Sequence, residues 1–397
     1  MENFFRNPFV ITPYVREEYF CDRTEETAQL CKHILNGRNV ALFARRRLGK
    51  TGLIRHCFAQ KEISDVFNTF LIDIYAANNL KEMVAIFANE IFSKSEYFGI
   101  KDKLLQGLKS LRPQIEYSQL TDSLSFSPIV GDISYPDKTL EELMQILDSG
   151  KRPCVIAIDE FQKIRDFKEA NMEAYLRTVV QKCRNIIFIF TGSITHSMTN
   201  MFTSPAKPFY NSAVQMTIDV IDRDVYRDFA QMMFRKYGRG KKIDDALIYL
   251  CYDYFNGITW YVQLLMNEAF AMAEPGKTIR ETDFQAIYSA IIAQQHFSYN
   301  EQFSRYSEKQ KSLLQALALE GSAGANITSN AFLSKYTLGS SSSIQTACRS
   351  LMKLGVIAET DGKKHISDLI FSEWLRRTLF SKRFCGKRLR ESQWHFA

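Results

Sequence analysis

The stretch Val40-Ala41-Leu42-Phe43-Ala44-Arg45-Arg46-Arg47-Leu48-Gly49-Lys50-Thr51-Gly52-Leu53-Ile54-Arg55-His56-Cys57-Phe58 decides how this chain is read. Four apolar residues make a short buried-strand pattern, and a helix-like run follows Thr51. Between them, residues 44–51 match the Walker A pattern, A/G-x-x-x-x-G-K-S/T. The chemistry explains the spacing: main-chain N–H groups of such a loop, and of the helix it leads into, converge on a phosphate. Gly49 permits an approach that a Cβ would block. Lys50 is placed to contact the outer phosphates, and the Thr51 hydroxyl to ligate Mg²⁺. The predicted nucleotide-binding set is Ala44, Arg45, Arg46, Arg47, Leu48, Gly49, Lys50, Thr51 and Gly52. Ala44 stands where the pattern more often has glycine, so the loop has to turn there without a positive φ.

Outward from this stretch, residues 67–74 are a second strand candidate containing Asp73, and residues 81–95 space Met83, Phe87 and Ile91 along one helical face. Residues 101–140 are mixed in character and read as an insertion between core elements. Cys154-Val155-Ile156-Ala157-Ile158 is apolar on both faces and runs into Asp159-Glu160. Ile186-Ile187-Phe188-Ile189-Phe190 is apolar throughout and runs into Thr191-Gly192-Ser193. Near-continuous apolar strands separated by helices predict an α/β fold, a doubly wound parallel sheet covered on both sides. Ligands of such sheets collect beyond the carboxyl ends of the strands, where both carboxylates stand. This is the Walker B arrangement. Asp159 is expected to hold Mg²⁺ beside Thr51, and Glu160 to polarise an attacking water. Either Thr191 or Ser193 is suited to read a terminal phosphate. The predicted catalytic set is Glu160, Lys50 and Ser193, and the metal set is Thr51 and Asp159.

Composition bounds the class. Of 397 residues, 46% are apolar and 24% charged, with 30 Phe and 18 Tyr against 9 Pro, the balance of a folded protein with large cores. No apolar run approaches the roughly 18 residues a bilayer span needs, and the start lacks a secretory pattern. The eight cysteines lie far apart with no C-x-x-C pair, so they read as reduced core residues of a cytoplasmic protein. Charge is uneven: residues 301–397 hold 15 basic against 8 acidic residues, while the preceding part is neutral. A basic domain joined to a neutral one suggests a polyanion partner.

From residue 222 the pattern turns helical, through residues 226–237, 245–255 and 260–273, and a polar break near Asn300 precedes a new helix. Residues 308–377 read as a winged helix. A helix over 308–319 is stopped by Gly321, and a short one covers 331–336. A third covers 344–354, with residues 340–343 supplying N-caps and Gly355 at its end. A hairpin of 356–360 and 363–366 turns at Asp361-Gly362, and a helix over 368–379 closes the domain. The expected domains are a nucleotide-binding core over 1–221, a helical lid over 222–300, the winged helix over 301–380 and a basic tail over 381–397. In a helix-turn-helix the third helix enters the major groove N-terminus first. Ser341, Ser342, Gln345 and Thr346, then Arg349 and Lys353, with Lys363 and Lys364 on the wing, make double-stranded DNA an expected partner of residues 341–364. Winged helices also dock proteins, which leaves a protein partner or self-association open.

Several pieces together resemble the archaeal-type ATPases, a branch of P-loop ATPases related to the AAA+ and STAND groups. They are Phe20-Cys21-Asp22-Arg23 with Glu25 or Glu26, Ala44 through Thr51, Ala157-Ile158-Asp159-Glu160-Phe161-Gln162, Phe190-Thr191-Gly192-Ser193 and Phe255-Asn256-Gly257-Ile258-Thr259-Trp260-Tyr261-Val262-Gln263. The resemblance spans residues 8–380. It implies a P-loop NTPase sheet, a helical lid and a C-terminal winged helix, with ATP and Mg²⁺ as ligands and hydrolysis to ADP and phosphate. Lys50, Thr51, Asp159 and Glu160 take the roles given above. AAA+ relatives use an arginine finger; Lys207, in the loop Ser204-Pro205-Ala206-Lys207-Pro208-Phe209-Tyr210, competes for that role with Arg184, Arg223 and Arg235. Residues 257–263 contain no arginine to sense the nucleotide, and Trp260 and Tyr261 read as lid core. The expected function is an ATPase whose cycle moves lid and winged helix to control DNA or partner binding. The alternative is a STAND-like nucleotide-gated switch or scaffold with little turnover.

Overall fold

The computed structural model describes residues 7–11, 14, 16–108, 114–118, 123–127, 133–193, 196–360 and 362–387. Asp361, in the predicted wing turn, and the tail from Arg388 on lie outside them, as do the side chains of Lys382, Arg383 and Lys387. The chain forms two compact units, one to Glu281 and one from Thr282.

The first unit is built on strands β1 (Val40–Ala44), β2 (Asn68–Asp73), β3 (Cys154–Asp159), β4 (Ile186–Ser193) and β5 (Val214–Thr217), in the spatial order β2-β3-β4-β1-β5. Every pairing is parallel. Successive side chains leave a strand on opposite faces, so a strand in the middle of such a sheet must be apolar at every position. β1 and β3 are buried throughout, and β4 at all but Ser193. Val40, Leu42, Val155, Ala157, Ile187 and Ile189 pack on one face with Leu53, Ile54 and Cys57. Ala41, Phe43, Ile156, Ile158, Phe188 and Phe190 pack on the other with Met83, Phe87 and Leu143. This is the doubly wound sheet expected from the sequence. β5 has no counterpart in the sequence reading, because an edge strand of which only Met216 is buried carries no continuous apolar run. Within the supposed insertion, Gln114–Ser118 and Ser123–Ser127 form an antiparallel hairpin. The helix Pro136–Asp148 belongs to the core, through Leu140, Leu143, Met144 and Leu147.

Three helices complete this unit: Arg223–Tyr237, Asp245–Tyr254 and Thr259–Met272. Asp222 and Asp244 cap the first two by accepting main-chain N–H groups. Lys242–Ile243 pairs with Thr278–Ile279 beside them.

In the second unit a long helix, Phe284–Ser304, runs through the polar break read at Asn300. Its buried Ile287, Tyr288, Ile291 and Ile292 hold the helical period, and polar residues between them occupy the solvated face. The helices Glu308–Glu320, Asn330–Tyr336 and Ser341–Lys353 precede the hairpin Ile357–Thr360 with Lys363–Ile366, paired Ile357 to Ile366 and Thr360 to Lys363. Ala325 bridges to Lys364 as a third strand position, where Gly324 lies so near the Lys364 carbonyl that a Cβ would meet it at 2.8 Å. The helix Leu369–Lys387 returns against the long helix through Tyr299, Phe371 and Trp374. Among the described residues no helix is long and apolar enough to cross a membrane.

Candidate nucleotide site

The loop after β1 turns where the sequence permits it. Ala44 ends the strand, and the left-handed residues are Arg47 (φ 69°) and Gly49 (φ 93°). No positive φ is needed at Ala44, which removes the difficulty that its missing glycine posed. Gly49 is the N-cap of the helix Lys50–Ala59 and supplies no side-chain cap, so the first-turn N–H groups keep their capacity for an anion. Lys50 is 7% exposed, with Nζ 3.4 Å from the Ala44 carbonyl oxygen. Burial pushes its ammonium below the ordinary lysine range, and the nearby Glu160 and Asp159 oppose that shift. A phosphate would restore the charge this burial disfavours.

Thr51 Oγ1 donates to Asp159 Oδ2 at 2.8 Å. The two residues come from the helix after β1 and from the end of β3, strands with β4 between them. Asp159 is 7% exposed, and its Oδ1 accepts the Glu160 N–H at 3.0 Å. A hydroxyl and a carboxylate in contact are hard oxygen donors of the kind Mg²⁺ takes. No cluster of three or more His, Cys, Asp or Glu is set to hold a metal among the described residues. A nucleotide-borne Mg²⁺ needs only one or two protein oxygens, so the pair fits it. In β4, Thr191 faces Leu42 and Ser193 faces Ala44 across the ladder. Thr191 is fully buried and its hydroxyl has no hydrogen-bond partner, whereas Ser193 is half-buried.

Glu160 adopts a left-handed conformation (φ 57°), and its Oε2 accepts a hydrogen bond from Gln162 Nε2. Burial and the Asp159 charge push its carboxyl above the ordinary range; the Gln162 hydrogen bond and Lys50 pull the other way. The Gln162 amide oxygen is buried without a partner and sits where a Cβ on Gly192 would meet it at 2.1 Å. Gln162 was quoted in the sequence only as part of a motif; its hold on Glu160 depends on a glycine thirty residues away.

Solved structures share this arrangement of sheet and helices. A Walker-type ATPase of Pyrococcus abyssi superposes with a TM-score of 0.59 at 19% identity, over 93% of this chain and 99% of that one. The ORC1 protein of Aeropyrum pernix, solved in complex with DNA, gives 0.54 at 14% identity over 96% and 98%. The ORC2 protein of the same organism, solved in ADPNP-ADP complexes, gives 0.53 at 14% over 95% and 98%. Residues 297–377 match the family model of a probable winged helix domain. What these proteins share with this chain is the fold, a P-loop NTPase sheet with helices and a C-terminal winged helix. No curated protein sequence is similar enough to be matched.

Around the P-loop, two further contacts join segments remote in sequence. Arg23, 4% exposed, pairs with Glu26 at 2.6 Å, and its other terminal nitrogen lies 3.4 Å from the Leu48 carbonyl oxygen. Of the two glutamates open in the sequence, Glu26 is the partner. Arg47 lies over the rings of Trp260 and Tyr261, 4.5 and 4.6 Å from their centroids. Among the finger candidates, Lys207 pairs with Glu173 at 3.5 Å and Arg223 with Asp253. Arg235 Nε lies 3.4 Å from the Gln231 carbonyl oxygen, and the Arg184 main-chain N–H donates to Asp148.

On the winged helix, the third helix begins at Ser341, three residues before the apolar residue that marks it in the sequence. Gln345 donates to Ser341 Oγ, and Thr346 to the Ser342 carbonyl oxygen. Lys364 is spent on an ion pair with Glu359. Arg349, Lys353 and Lys363 are exposed. Lys309, which the sequence did not single out, reaches the start of this helix, its Nζ 3.3 Å from where a Cβ on Gly339 would lie.

Proposed function

We propose that the chain binds ATP with Mg²⁺ at the end of β1 and hydrolyses it to ADP and phosphate. The observation that carries this reading is the 2.8 Å contact of Thr51 with Asp159, with Lys50 buried beside it. Lys50 and the loop residues 44–52 would hold the phosphates, and Thr51 and Asp159 the Mg²⁺, which neutralises phosphate charge when bound. Glu160 orients and deprotonates a water, and the hydroxyl of Thr191 or Ser193 stands at the intervening strand end to meet the terminal phosphate. The cycle moves the lid helices and the winged helix, and so controls binding of double-stranded DNA. The ORC1 relative solved with DNA supports that partner, together with the basic balance of residues 301–397. Phosphate release by the purified protein, with and without duplex DNA, tests the reading. Glu160→Gln is expected to lower turnover by about a hundredfold or more while ATP still binds. Lys50→Ala is expected to abolish binding in calorimetry; undiminished affinity would contradict the site.

One observation favours a second reading, a nucleotide-gated switch with little turnover: Gln162 engages the carboxylate that would act on water. In that case Glu160→Gln leaves an already negligible phosphate release unchanged.

A further inference from the structure

The helix Thr259–Met272 carries no cation in its first turn, yet a cation is there. It comes from the P-loop. The Arg47 guanidinium lies over Trp260 and Tyr261, and its Nη1 donates to the Tyr261 hydroxyl. The main chain joins in, since Trp260 N–H donates to the Arg47 carbonyl oxygen at 3.1 Å. Tyr261 is 2% exposed and stacks on Phe255 at 4.7 Å, so the ring that receives the arginine is itself fixed in the helical core. Arg47 is also one of the two left-handed residues that shape the loop. The same residue thus sets the loop's curvature and ties it to the helix, through both main chain and side chain.

Resting on the ATP reading above, we propose that Arg47 is a positioning residue that couples the nucleotide site to the helical lid through the Trp260–Tyr261 pair. Phosphate draws the loop amides inward. Because Arg47 is attached at its carbonyl and at its guanidinium, that movement carries the start of the helix Thr259–Met272 with it. Coupling between two sites is reciprocal, so loosening the aromatic pair weakens nucleotide binding. A cation held over aromatic faces gives arginine an advantage that lysine keeps only in part.

The test uses the full chain and a non-hydrolysable ATP analogue with Mg²⁺. Tryptophan emission is followed during titration, and Trp260→Phe identifies the part that belongs to Trp260. Nucleotide is expected to change Trp260 emission in the parent protein. Arg47→Ala is expected to abolish that change and to weaken binding by roughly tenfold, within the usual range of coupling between sites. Arg47→Lys is expected to recover part of both, and Tyr261→Phe, which keeps the ring, to lose only part. Melting curves identify any variant that fails to fold, and the two conservative variants then carry the test. Trp260 emission that ignores bound nucleotide, or full affinity in Arg47→Ala, overturns the coupling while leaving ATP binding intact. Absence of any binding heat in the parent overturns both readings.

Discussion

Glu160 shows how the sheet end tunes a single side chain. Burial and Asp159 raise its proton affinity, and the Gln162 hydrogen bond lowers it. A base works only when deprotonated, so the acid limb of the turnover–pH profile should lie above the ordinary glutamate range. Gln162→Ala removes a contact that favours the charged form, and is expected to move that limb to higher pH. Gly192→Ala should do the same with both residues left in the sequence, since its Cβ would displace the Gln162 amide. An unshifted limb in both variants would mean that another group sets the profile. His56 gives a second titration. It is buried beside Phe20 and hydrogen-bonded to Tyr14 at 3.1 Å, and burial holds its imidazole below the usual range. The folded state then binds fewer protons than the unfolded one, so stability is complete above the unfolded value near 6.5 and falls as pH drops below it. Chemical denaturation at pH 7.5 and 5.5 should show that loss, and His56→Gln should flatten it.

At the scale of elements, legibility followed burial. β3 and β4 are covered on both faces, so their sequences are apolar without interruption and their polar ends stand out. β5 and the long helix Phe284–Ser304 were missed or cut for the opposite reason, because polar residues sit among the buried ones. The helix-to-helix turn at Gly257 combines both lessons. Its φ of 68° suits glycine, and a Cβ would meet the Tyr252 hydroxyl at 2.5 Å. The sequence marks the glycine but gives no sign of that tyrosine. Gly257→Ala is expected to cost about 2 kcal/mol, read as a lower denaturant midpoint at constant m. The Arg47 contact was illegible for a related reason: its partners lie more than two hundred residues away, and neither loop nor helix pattern predicts which side chain bridges them.

Across the whole molecule, charge separates into a neutral part over residues 1–300 and a basic part over residues 301–397. Several of its cations are already engaged: Lys335 by Glu320, Lys364 by Glu359, and both Arg376 and Arg377 by Glu373. Net charge therefore overstates what is offered to a polyanion. Replacing Lys309, Arg349, Lys353 and Lys363 together by Ala is expected to weaken duplex DNA binding. It should also flatten its dependence on salt by up to about 0.9 in log–log slope per lost phosphate contact. Replacing Lys364 alone should change little. ATP affinity in calorimetry serves as the control and should stay at the parent value.

The strand order carries a consequence for synthesis. β4 is the last of the three adjoining strands to leave the ribosome, yet it fills the gap between the one that bears the P-loop and the one that bears Asp159. A nascent chain halted before Ile186 would own the lysine, the threonine and both acids and still have no pocket, since nothing would hold the two strands side by side. On the proposed ATP reading, capture of nucleotide would report that the central sheet has closed, and a triphosphate would assist folding only late.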